Sequence, residues 1–128
     1  RSFLDGLNHL RKTKGMAVIM LAHSHIKRFE DPAGEAYDRY EIKLHRKASD
    51  VCMESADLIG FATYRVSTKE VDGGFGRKKS VAVGTGERVL RTAERPAVVA
   101  KSRDSIPDEL PLSWDALVNS ITNKKEAA

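Results

Sequence analysis

The sequence predicts part of an α/β domain: a mostly parallel central sheet flanked by helices, with a β-hairpin region toward the C-terminal end. Three observations carry this. The run "MAVIMLA", Met16 to Ala22, is apolar without alternation, so both of its faces call for burial, as in a central parallel strand covered by helices. Phe3, Leu4, Leu7 and Leu10 recur at helical spacing just before it, and a helix leading into such a strand is half of a βαβ unit. The length, 128 residues with 41% hydrophobic and 31% charged side chains, suits one modest globular domain.

In chain order, a first helix is expected over Ser2 to Lys14, stopped by Gly15. The pattern is helical from the first residues, with neither an initiator Met nor a capping residue, and the chain is therefore expected to be a piece of a longer protein. After "HSHIKRF", the stretch Glu30 to Lys47 carries Pro, Gly, five acids and four bases with little periodicity, and reads as a long functional or mobile loop. Ala48, Val51, Cys52 and Ala56 mark a second helix face. "ADLIGFATYRV", Ala56 to Val66, reads as a strand with Gly60 inside it. "DGGFGRKKS", Asp72 to Ser80, is a loop tip with three glycines, and its arms, Thr63–Val71 and Ser80–Gly84, form a candidate hairpin. "RVLRTAE" and "PAVVAKS" are two more strands, split by Pro96. "SWDALVNSI" is a helix with Ser113 as N-cap and Trp114, Leu117, Val118 and Ile121 on one face. Residues 1–121 form the domain, and 122–128 are expected to fray.

Net charge is +4 and the pI about 9.3, which is compatible with nucleic acid without demanding it. The single cysteine, Cys52, excludes an internal disulfide and argues for a reducing compartment. No apolar run approaches the roughly 18 residues of a membrane span, and no signal peptide is visible.

Three places could carry chemistry. "LAHSH" ends the buried-strand pattern, and polar side chains beyond the carboxyl end of such a strand lie where α/β sheets bind ligands; His23 and His25 are the candidates. Lys101 and Arg103, in "VAKSRDSIPDELPL", stand two apart at a strand end, so both can reach one target with Ser102 turned away. Arg77, Lys78 and Lys79 make the Gly-rich tip basic; with Phe75, it could track a phosphate backbone and stack a base. Each has an ordinary alternative as solvated charge or a strand cap. Cys52, His45, His23 and His25 are zinc-ligand types without zinc-site spacing, so no metal site is expected. "GTGER" lacks the GxxxxGK[ST] spacing of a phosphate loop. No catalytic triad or paired carboxylates stand out, and no complete active site is present.

The order of these features, a helix, "KGMAVIMLAHSHIKRF", a long loop, "KASDVCMESADLIGFATYR" and a strand ending in "AKSR", resembles the C-terminal half of a RecA/RadA-type P-loop ATPase core. It is most similar to the phage-encoded single-domain RecA-like proteins of single-strand annealing and recombination. The resemblance implies a partial RecA-like core, an intact protein that uses ATP and Mg²⁺, single-stranded DNA as partner, and a ring or filament of identical subunits in the cytoplasm of a bacterial host. It implies that His23, or His25 in its place, is the γ-phosphate sensor. The loop from Ile26 to Arg46, with Lys27, Arg28, Arg39 and Lys43, would face DNA together with Arg77, Lys78 and Lys79. Lys101 and Arg103 would act in trans on a neighbour's nucleotide, Ser102 standing where RadA-like proteins carry Asn. Walker A is absent, and so is the Walker B Asp expected before residue 1. The chain alone is thus expected to bind no cofactor and to be inactive, although its parent would be a DNA-dependent ATPase. The competing reading is a self-contained, non-catalytic nucleic-acid-binding or interaction domain.

Overall fold

The computed structural model describes residues 2–127, apart from the side chains of residues 68, 80–82, 85 and 124–127. Three helices and seven strands follow in the order α1 (Ser2–Lys14), β1 (Ser24–Phe29), β2 (Tyr37–Ile42), α2 (Arg46–Ser55), β3 (Leu58–Ile59), β4 (Phe61–Asp72), β5 (Lys78–Arg91), β6 (Lys101–Ser102), β7 (Glu109–Pro111) and α3 (Trp114–Ala127). The strands form three small sheets, ordered β1-β2, β3-β6 and β4-β5-β7, and every strand pair in them is antiparallel.

This overturns the expected RecA-like parallel sheet. Met16 to Ala22 forms no strand; it runs exposed between α1 and β1, with Leu21 at 95% of its free accessibility. A central parallel strand needs a hydrogen-bonded neighbour on each edge and a helix on each face. Among the described residues no strand flanks this run. The two largest pairings, β1–β2 and β4–β5, are local hairpins, and strands joined by short turns meet antiparallel; β3–β6 and β5–β7 join distant stretches and are antiparallel as well. Among the described residues the one parallel contact is an isolated bridge of Tyr40 to Val98, where Tyr40 N–H donates to the Ala97 carbonyl at 2.8 Å.

The expected long loop is mostly a hairpin. Asp31-Pro32-Ala33-Gly34 closes it: Gly34 N–H donates to the Asp31 carbonyl, and the Asp31 carboxylate accepts from Ala33 N–H at 2.9 Å. Pro at the second position and Gly at the fourth are the residues a type I turn favours. α1 ends where expected, with Gly15 at φ +62°.

The core is small. Leu4, Val89, Val98, Ala100 and Leu110 are its buried apolar residues. Thr92 is buried beside them, its hydroxyl donating to the Pro107 carbonyl at 2.6 Å. Gly60, between β3 and β4, lets Leu90 close in: a Cβ there would stand 2.6 Å from Leu90 Cδ1. The total accessible surface, 10124 Å², is about half as large again as the ~6,800 Å² expected of a compact monomer of this mass.

The β4–β5 hairpin is longer than its expected arms. It breaks register at a bulge: Tyr64 pairs with Arg88 but Val66 with Gly84, so Arg65 alone faces three residues of β5. Gly86, at φ +77°, takes the turn the bulge requires. Arg65 holds the bulge to β7 by donating to Glu109 at 2.6 and 2.9 Å and to Glu87 at 2.5 Å. The hydrogen bond and charge of Glu109, with Glu87 behind them, hold its pKa above the usual guanidinium value.

Candidate functional site

Lys101 and Arg103 owe their placement to the pairing of β6 with β3. Ile59 lies opposite Lys101 and Leu58 opposite Ser102, while Arg103 N–H donates to the Asp57 carbonyl at 2.9 Å. Because β3 begins just after α2 ends, this register sets both cations against the last turn of the helix. Lys101 Nζ donates to the carbonyls of Met53 (2.8 Å) and Glu54 (3.3 Å). The Arg103 guanidinium donates to the Glu54 carbonyl at 2.8 Å and to the Asp57 carboxylate at 2.8 Å. Both side chains thus reach one target, and Ser102 turns away to donate to the Asp104 carbonyl. The target is the negative end of a helix, whose final carbonyls lack intrahelical donors. Among the described residues only the Cys52 carbonyl is served locally, by Ala56 N–H.

The two cations differ in what they leave open. Lys101 is half-buried with its ammonium turned to the helix, whereas the Arg103 side chain keeps 54% of its accessibility. Beside Lys101 lies an open groove of about 600 Å³ whose lining includes Glu94, Asp104 and Asp108. With Glu94 paired to Arg39, Asp104 and Asp108 stand beside one lysine already committed to the helix, which makes a poor phosphate cradle.

His23 is exposed just before β1, its carbonyl accepting from Lys43 N–H at 2.8 Å. His25 is half-buried in β1 opposite Glu41. Among the described residues no hydrogen bond or ion pair joins either histidine to Lys101 or Arg103, and no three His, Cys, Asp or Glu side chains gather as metal ligands.

The expected DNA-facing cations are unequally free. Lys27 and Lys43 are exposed. Arg28 pairs with Asp38 at 3.4 Å across the β1–β2 hairpin. Arg39 is committed: its side chain is 12% exposed, it pairs with Glu94, and its guanidinium lies 5.2 Å from the Phe29 ring centre. At the other hairpin, Lys78 pairs with Glu70 at 3.5 Å, while Arg77 and Lys79 carry no ion pair among the described residues. Sequence reasoning missed Glu54, Asp57 and Met53 as the partners of Lys101 and Arg103. No local signal could have found them, since the contacts span some 48 residues.

No helix of the described residues is long and apolar enough to cross a membrane. No curated protein and no solved structure matches the chain. A family model described as "AAA domain" matches residues 1–104. That stretch holds the helix, the apolar run, both hairpins and the Lys101–Arg103 corner, and the chain belongs to this family of ATPase-like, nucleotide-binding domains.

Proposed function

We propose that the chain contributes a sensor, a DNA-facing surface and a trans-acting cation to an ATP- and Mg²⁺-dependent protein. That protein acts on single-stranded DNA in recombination or annealing, is of the phage-encoded type, and works as a homo-oligomeric ring or filament in the bacterial cytoplasm. The observation that carries the reading is Arg103: a half-exposed guanidinium held in place from behind by Asp57 and the Glu54 carbonyl. A cation fixed before the reaction is what stabilises charge developing on a transferring phosphoryl group. The acidic residues lining the groove beside Lys101, Asp104 and Asp108 among them, support placing the phosphate in question on a neighbouring subunit. Lys101 then acts as a positioning residue that anchors β6 to α2. His23 is the sensor in this reading, and its exposure leaves it accessible to nucleotide bound elsewhere in the assembly.

The test is a mixing experiment on the intact protein. Arg103→Ala loses turnover while ATP affinity stays near wild type, the loss reaching about 10³-fold or more for a residue of the arginine-finger kind. A protomer with a dead phosphate loop, mixed with it, restores part of the activity, because each supplies what the other lacks. A mixture that co-assembles yet stays inactive reduces Arg103 to a helix cap.

A further inference from the structure

The β4–β5 hairpin beyond the bulge sorts its charges by face. Residues opposite one another in an antiparallel pair share a face, and successive residues alternate. One face carries Val66, Glu70 and Asp72 with Lys78 across from Asp72. The other carries Ser67, Lys69 and Val71, with Lys79 across from Val71 and Val83 across from Ser67. The first face holds both acids, and its lysine is spent on Glu70 at 3.5 Å. The second holds two lysines and no acid among the described side chains, and Arg77 adds a cation at the turn. Val66, Val71 and Val83 remain 54%, 40% and 41% exposed, so this arm adds nothing to the core.

The tip is odder still. Phe75 sits at φ +52° between Gly74 at +78° and Gly76 at +72°, and it is fully exposed. A bulky residue in the left-handed region costs energy that Gly or Asn would avoid, and an exposed ring contributes nothing to folding. Neither stability nor solubility accounts for Phe at this position. A partner with a flat apolar face and repeating negative charge accounts for both the ring and the one-sided lysines.

We propose that the arm is a one-sided clamp for a single nucleic-acid strand, with Lys69, Lys79 and Arg77 on the phosphates and Phe75 stacked on a base. This rests on the single-stranded DNA reading above and refines it by moving Lys78 off the contact and Lys69 onto it. An unpaired base is required because the faces of a paired base are already stacked within the duplex. An acidic peptide would satisfy the lysines and leave the ring without a partner.

The test is fluorescence anisotropy of the full chain with a labelled single strand, and with a duplex of the same sequence, across a salt series. The variant Lys69→Gln/Arg77→Gln/Lys79→Gln lowers the log–log salt slope by about 2, since each phosphate neutralised on a single strand contributes about 0.7. Lys78→Gln leaves the slope unchanged. Phe75→Ala weakens single-strand binding about ten-fold and leaves duplex binding as it was. All of these side chains lie outside the core, and unchanged circular dichroism of each variant excludes misfolding as the cause. If wild type binds single strands and the triple variant keeps its slope, or Lys78→Gln flattens the slope as much as Lys79→Gln, the clamp is wrong and the DNA reading stands on other residues. If wild type binds no single strand at all, the DNA reading itself falls and takes the clamp with it.

Discussion

The ammonium of Lys101 lies 2.8 Å from the carbonyl oxygen of Met53, in the last turn of α2. A strand of only two residues is thereby tied to a helix that its own backbone hydrogen bonds do not reach. With Arg103 on Glu54 and Asp57, two cations complete the C-terminus of α2, where positive charge is favoured.

Lys101→Met keeps the aliphatic stem and removes the charge. It is expected to lower unfolding free energy by about 1 kcal/mol, the usual scale for a cation at a helix C-terminus. A urea titration checks this: the midpoint falls while the slope stays constant. No change in midpoint would mean that α2 does not depend on the contact.

Thr92→Val swaps a buried hydroxyl for a methyl of the same size. The Pro107 carbonyl then loses its 2.6 Å donor, and because Pro107 is exposed to water the cost is that of one ordinary hydrogen bond, about 1 kcal/mol. Thermal unfolding should show a clear drop in Tm, whereas Thr92→Ser, which keeps the donor, should lose less.

Gly60→Ala places a methyl 2.6 Å from Leu90 Cδ1 and 3.1 Å from its Cγ. The tip of a leucine can rotate away but its branch point cannot, so overpacking of about 1 kcal/mol is expected. Pairing it with Leu90→Ala tests the cause. The double variant should be less damaged than the sum of the two singles, because Leu90→Ala opens the space the new methyl needs.

ATP hydrolysis by the 128-residue chain alone is expected to be absent, because no GxxxxGK[ST] stretch lies within it to cradle the phosphates. A coupled phosphate-release assay with and without Mg²⁺ decides the matter. Metal-dependent turnover abolished by His23→Ala would relocate the site to the "LAHSH" corner.

What the sequence revealed follows from where its signals are local. α1 with its Gly15 stop, the Ser113 cap of α3 and the glycine tip between β4 and β5 all rest on neighbours within a few residues, and all three are present. β1 and β2 escaped notice because neither face is wholly buried: Tyr37, Arg39 and Glu41 alternate with Asp38, Tyr40 and Ile42, which leaves no apolar period to read. The Asp31-Pro32-Ala33-Gly34 turn was the available clue. Met16 to Ala22 misled in the opposite way, since its composition reports what the segment would bury, and burial needs neighbours that the run itself does not specify. The Lys101–Arg103 spacing was legible as a shared target, but the target's identity depends on β3–β6 pairing, which no local pattern encodes.

The exposed run from Met16 to Leu21 also governs how the protein behaves in a tube. It is uncharged, free of Pro and outside any helix or strand, with Ile19 at 64% and Leu21 at 95% of their free accessibility. Short segments of that kind stack on their own copies. Shelf life should therefore be set by collisions between molecules rather than by unfolding, so that turbidity onset shortens steeply as concentration rises at fixed temperature. One charge in the middle of the run, Ile19→Lys, should lengthen that onset several-fold while leaving Tm where it was, because the side chain it replaces touches little but water.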